Sequence, residues 1–185
     1  MRTYLRLSTL VAPVLLAGLL TGCSPKPVAS PDVKDSVKSA LDSRGFKDVS
    51  VDQDREKGVV TLKGKVASEA DKTAAAAMTQ QIAGNQVVAN EITVEPPGME
   101  SDARKVRNAL DDGIDSNVKA LFVQLKDVGD VKYDVNNAVV TLTGEVTSQA
   151  KRSEVESAVK NVPNVRQVVN ELQVKNQKAT GRGGL

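Results

Sequence analysis

The chain has 185 residues, 26% of them charged and 2% aromatic, with one cysteine and no histidine. Without imidazole there is no histidine base, triad or metal ligand, and a single thiol can close no internal disulfide and build no cysteine cluster. Arg2 and Arg6 account for the net charge of +2 and the remainder balances, so the chain lacks the concentrated basic surface and aromatic platforms that nucleic acid requires. The expectation is a protein that is not an enzyme, with no cofactor, no metal and no nucleic-acid partner.

The first segment, MRTYLRLSTLVAPVLLAGLLTGCS, joins a positive start to an apolar run over Leu7–Leu20. That run is shorter than the roughly 20 residues of a comfortable membrane span and fits a secretory signal over residues 1–22. It ends in Leu20-Thr21-Gly22-Cys23, which resembles the bacterial lipobox. The resemblance implies cleavage before Cys23, which would become the acylated first residue. Several acyl chains anchor far more firmly than one. Ser24 follows Cys23 in place of the aspartate of inner-membrane retention, which under the enterobacterial sorting rule implies the outer membrane, facing the periplasm. Residues 23–31 hold three prolines and no apolar period and read as a flexible tether.

Beyond the tether the chain repeats itself. VVTLKGKV at Val59–Val66 returns 80 positions later as VVTLTGEV at Val139–Val146, and Asn90-Glu91 returns as Asn170-Glu171. A gapless alignment pairs Val51 with Val131, and gives two modules of equal length. Each reads helix, strand, strand, helix, strand. In the first copy a helix over Pro31–Arg44 ends near Gly45, and a strand follows at Asp48–Gln53, matched by Lys132–Val135 in the second. Turn residues follow at Asp54–Gly58 and at Asn136-Asn137. In the second strand Val60, Leu62 and Val66 alternate with polar residues, which marks one buried face. Gly64 and Gly144 fall on that face and suggest a bulge or the close approach of another element.

Ser68 and Ser148 are suitable N-caps for the next helix, with Asp71 three residues after the first. That helix reaches Ile82 in one copy and Val162 in the other. Gly84 ends the first, and Asn164, the other residue tolerant of a left-handed turn, stands in its place in the second. The last strand carries Val88, Ile92 and Val94 on one face. Its short crossover implies parallel pairing and a right-handed connection. The fold expected is α+β: two tandem αββαβ modules, each a three-stranded mixed sheet with two helices on one face. The modules fall at 32–95 and 114–175, joined by a linker over 96–113 that could be helical. Residues 176–185 read as a disordered tail.

The order G-V-V-T-L-x-G-x-V, then a capped helix, then V-x-x-V-x-N-x-L/I-x-V stands at Gly58–Val66 and Val87–Val94, and again at Ala138–Val146 and Val165–Val174. It resembles the BON domain of bacterial envelope and osmotic-stress proteins. With the signal and lipobox, the doubling is similar to the dual-BON outer-membrane lipoproteins. Ala138 and Asn164 depart from the usual glycines, both in turns. The resemblance implies phospholipid binding and a part in envelope integrity.

Modules this small leave little room for a deep pocket, so binding by surface is expected. Where the first helix of module one has Lys38, Asp42 and Gly45, module two has Val118, Phe122 and Leu125, with Lys119 and Lys126 beside them. An apolar strip flanked by lysines suits an interfacial helix on anionic phospholipid. Val106, Leu110, Ile114, Val118, Leu121 and Leu125 also fall near helical spacing, so a helix from Ser101 packed on module one is the competing explanation. Asp111-Asp112 and Gly113 argue for a break in either version. Asn90 and Asn170 are expected to satisfy backbone groups at the sheet edge. The alternative function is a non-enzymatic adaptor docking on envelope proteins.

Overall fold

The computed structural model describes residues 29–125 and 127–175; the signal, Cys23, Lys126 and the tail from residue 176 lie outside them. Module one runs α1 (Lys34–Ser43), β1 (Val49–Asp54), β2 (Val59–Val66), α2 (Glu69–Ala83) and β3 (Val87–Val94). Its sheet has the order β1-β2-β3, antiparallel then parallel. Module two runs α3 (Glu100–Gln124), β4 (Asp130–Asn136), β5 (Val139–Val146), α4 (Gln149–Lys160), β6 (Gln167–Asn170) and β7 (Gln173–Val174). Its sheet has four strands where three were expected. The strand matching β3 is interrupted at Glu171-Leu172, and both pieces pair parallel with β5.

The period-2 pattern places Val60, Leu62 and Val66 on one face of β2, where they meet Val37 and Leu41 of α1 and Ala75 and Ala83 of α2. In module two Val140, Leu142 and Val146 meet Ile114 and Val118 of α3 and Val155 and Val159 of α4. Ser68 accepts the Asp71 amide at 3.1 Å and Ser148 that of Lys151 at 3.1 Å, which caps α2 and α4 as expected. α1 begins at Lys34, not Pro31. The Pro31 carbonyl instead accepts the Gln53 side-chain amide at 2.8 Å, and Ser30 exchanges bonds with Arg55. The last residues read as tether are therefore held on the module. α4 stops at Lys160 rather than Val162, because Pro163 disfavours helix at the residue before it and removes a backbone donor. Asn164 does take the left-handed conformation, at φ 68°, but in the turn beyond the helix end.

The gapless offset fails over the first strand of each hairpin. Val51 lies opposite Leu62, whereas Val131 lies opposite Gly144, and it is Tyr133 that faces Leu142. The first hairpin closes through Arg55–Gly58 and the second through Asn137-Ala138 alone. Losing two residues slides β4 by an even number, so every side chain keeps its face. Gly64 and Gly144 are needed for a close approach, by a strand rather than a helix. A Cβ on either would lie 2.0 Å from the carbonyl oxygen of Asp48 or Asp130, and both have positive φ.

The helix-free faces of the two sheets pack on each other. Val59 and Ala89 meet Val139 and Val169, all buried, and these are the same positions of the repeat. Polar contacts ring this patch. The Gln167 side chain reads the free edge of β3, donating to the Val88 carbonyl at 2.7 Å and accepting the Asn90 amide at 3.2 Å. Lys57 donates to Glu171 at 2.6 Å, Asn136 to Glu91 at 3.0 Å, and Asn137 to the Ile92 carbonyl. Glu171 holds the Lys57 ammonium above the ordinary lysine value.

Candidate functional site

α3 is twice a helix. Its second half, from Ile114, does for module two what α1 does for module one. Its first half, Glu100–Gly113, has no counterpart in module one and spans the boundary between the modules. Gly113 does not break it, and nothing lies within 4 Å of where its Cβ would be. Asp111 holds it in register instead: its carboxylate accepts the amides of Asn137 at 2.9 Å and Ala138 at 2.8 Å. Both residues have positive φ, 52° and 62°, as a two-residue hairpin turn requires. Alanine there costs about 1–2 kcal/mol, which the two charge-assisted bonds offset. Asp111→Ala is therefore expected to lower stability by about 2 kcal/mol, read as a shift of the urea midpoint at unchanged slope.

Of the five strip residues, the structure packs two, Val118 and Phe122, into the module-two cluster. Val118 is fully buried in the module-two core. Phe122 is half-buried and stacks on Tyr133, with ring centroids 5.4 Å apart and planes at 15°. Leu125, at the end of α3, is also half-buried. Lys119 is exposed, and Lys126 lies outside the described residues. The apparent surplus of apolar residues came from the gapless alignment. Lys38, placed opposite Val118 by number, is bonded to Asp42 at 2.5 Å, while the buried pair of α1 is Val37 and Leu41. Burial pushes the Tyr133 hydroxyl above its ordinary value, and the neighbouring Asp115 adds to this.

The exposed apolar surface lies elsewhere on the same helix. Met99, Val106 and Val123 are 59%, 70% and 83% exposed, and Val87 is the other large hydrophobic side chain so exposed among the described residues. Met99, Ala103, Val106 and Leu110 recur at helical spacing and form one wall of a mainly apolar groove of about 380 Å³. Val94 and Pro96 form the facing wall, and the Asn137-Ala138 turn closes one side. Arg107, bonded to Thr93 at 3.2 Å and paired with Glu95 at 3.6 Å, and the Arg166–Glu69 pair at 3.1 Å stand at its rim. Acid and base are balanced there. Comparing the modules could not find this surface, because the first half of α3 has nothing to be compared with. Its signal was the helical spacing of Val106 and Leu110.

Asn90 donates to the Lys72 carbonyl at 3.3 Å and accepts the Ile92 amide at 3.3 Å. Asn170 likewise accepts the Leu172 amide at 3.2 Å and donates to Glu156 at 2.7 Å. Both satisfy their surroundings. Lys72, a buried residue of α2, is pushed below the ordinary lysine value by desolvation. Among the described residues no cluster of acidic side chains could hold a metal, and no helix is long and apolar enough to cross a membrane.

Two solved structures of CdsD, a structural protein of the type III secretion system of Chlamydia trachomatis, are similar to the chain. One is 19% identical over 76% of this chain and 60% of that one, with a TM-score of 0.30. The other, its C-terminal domain, is 18% identical over 76% and 66%, with a TM-score of 0.27. This chain thus spans less than two thirds of either protein chain. No curated protein matches it. The sequence profile of the BON domain matches twice, over residues 30–96 and 110–176. These two stretches take in both sheets and all four helices except the start of α3, so the chain belongs to the BON-domain family, as a protein of two such domains.

Proposed function

We propose that the chain is a lipid-anchored, periplasm-facing envelope lipoprotein that binds anionic phospholipid and supports outer-membrane integrity or stress tolerance. The lipobox at Cys23 supplies the anchor, with Ser24 directing it to the outer membrane. Both lie outside the described residues. The association of BON domains with phospholipid supports the binding step. The observation that carries it is the pair of exposed apolar side chains Met99 and Val106, which share one face at the start of α3, with Lys105 exposed beside Val106. Apolar insertion beside a lysine is how a helix engages an anionic interface. An anchor that holds the domains at high local concentration lets weak contacts suffice.

Co-sedimentation of the chain from Ser24 with vesicles, with and without anionic lipid, tests this reading. The wild type should pellet with anionic vesicles, less so at high salt. A Met99→Asp/Val106→Asp variant should stay folded and remain in the supernatant. Wild-type protein that ignores both kinds of vesicle would sink the lipid reading. The adaptor reading would then take its place. It is favoured by the groove between Val94, Pro96 and α3, which offers an apolar seat to a protein segment and should be indifferent to salt.

A further inference from the structure

Glu91 and Glu171 occupy the same position of the repeat and both face the contact between the domains, yet they are partnered differently. Glu171, with its side chain 12% exposed, receives the Lys57 ammonium at 2.6 Å. The counterpart of Lys57 in the second copy is Asn137. Glu91, 9% exposed, accordingly has no lysine across the contact and accepts only the Asn136 amide, at 3.0 Å. The charged groups that face it are Lys63 on β2, at 3.9 Å and half-exposed, Asp52 on β1, and Asp134 on β4 of the other domain. Two of these three repel a carboxylate. A buried carboxylate with one neutral donor and one long, half-exposed ion pair is poorly compensated, and its protonated form is favoured wherever water is excluded.

We propose that Glu91 is a proton-operated latch between the two domains: protonated, it holds the helix-free sheet faces together, and on ionising it loosens them. Separation returns Glu91 to water and uncovers Val59, Ala89, Val139 and Val169, which are sealed in the docked state. Desolvation raises the Glu91 carboxyl above its ordinary value of 4.5, against the partial relief from Lys63. The sign follows from linkage. The docking stability contributed by this group is fully present below the ordinary value and lost as pH rises through the raised one. The latch therefore tightens in mild acid, independently of any lipid.

Amide hydrogen exchange followed by NMR on the chain from Ser24 tests it. The Asn90 amide is bonded across the contact to Gln167, whereas the Asn161 amide, bonded to the Ala158 carbonyl at the exposed end of α4, opens by local fraying with the domains still docked. The ratio of their exchange rates cancels the intrinsic pH dependence common to all amides. Between about pH 4.5 and pH 7 that ratio should rise roughly threefold or more in the wild type, within the tenfold-per-unit limit for one proton. It should stay flat in Glu91→Gln, which keeps an acceptor for Asn136 but no charge. Asn136→Asp sets a second carboxylate against Glu91 and should steepen the rise, and it serves equally if Glu91→Gln fails to fold. The same rise in wild type and Glu91→Gln, or a flat ratio in Asn136→Asp, overturns the latch.

Discussion

Gly144→Ala is expected to cost about 3 kcal/mol or more, enough to unfold a small domain of ordinary stability. Two independent penalties combine. The residue sits at φ 104°, which side chains rarely adopt, and its Cβ would lie 2.0 Å from the Asp130 carbonyl oxygen on the neighbouring strand. That oxygen is backbone in a paired strand and cannot swing aside as a side chain would. Gly64→Ala faces the same contact with Asp48, at φ 116°, and should cost module one as much. Gly113→Ala is the contrasting case. It lies in the middle of α3 with open space around it, and alanine there should stabilise by about 0.5–1 kcal/mol. Urea denaturation of the three variants checks the pattern. A Gly144→Ala protein with a wild-type midpoint would show that the strand approach is not as close as described.

Val118→Asp and Val106→Asp should part company by several kcal/mol, though both put a carboxylate on α3. Val118 is fully buried between Leu142, Val155 and their neighbours. A charge there has no partner and costs about 3–5 kcal/mol, so module two should lose its cooperative melt. Val106 is 70% exposed, and its replacement should change stability by less than about 0.5 kcal/mol. Circular dichroism melts separate the two outcomes before any vesicle is added. This order matters for the lipid reading. Loss of binding by Val118→Asp reports a broken domain, whereas loss by folded Val106→Asp reports a contact. A Val118→Asp protein that melts like the wild type would mean that the helix faces the other way.

Much of the fold is legible in local chemistry. The alternation in VVTLKGKV and its echo, the serines at 68 and 148, and the turn signal at Asn136-Asn137 act over a few positions. Each announces its element without knowing what lies across the sheet. The turn signal falls one residue early, because Asn136 still pairs with Val139 and the turn is Asn137-Ala138. The doubling makes the resemblance to the family specific, because the same motif recurs in the same order. Errors at element ends have the same local character: Pro163 cut α4 short, and Pro31 was drawn to Gln53 instead of starting α1.

The candidate site was less legible, because burial is a property of pairs. Val118 and Val106 are the same residue type on one helix at helical spacing. Only the position of β5 and α4 decides that one is core and the other surface. The hairpin register was hidden for a related reason: a two-residue difference in loop length leaves the inward–outward pattern intact, so periodicity cannot detect it. The packing of one sheet on the other depends on Val59, Ala89, Val139 and Val169, which are scattered along the chain and join only in space. Periodicity and caps thus determined the elements from the sequence by itself, and the doubled motif carried the resemblance to the family. Which apolar residues stay exposed, and which carboxylate has no lysine across the domain contact, depended on contacts between residues far apart in the chain, and only the tertiary structure decided them.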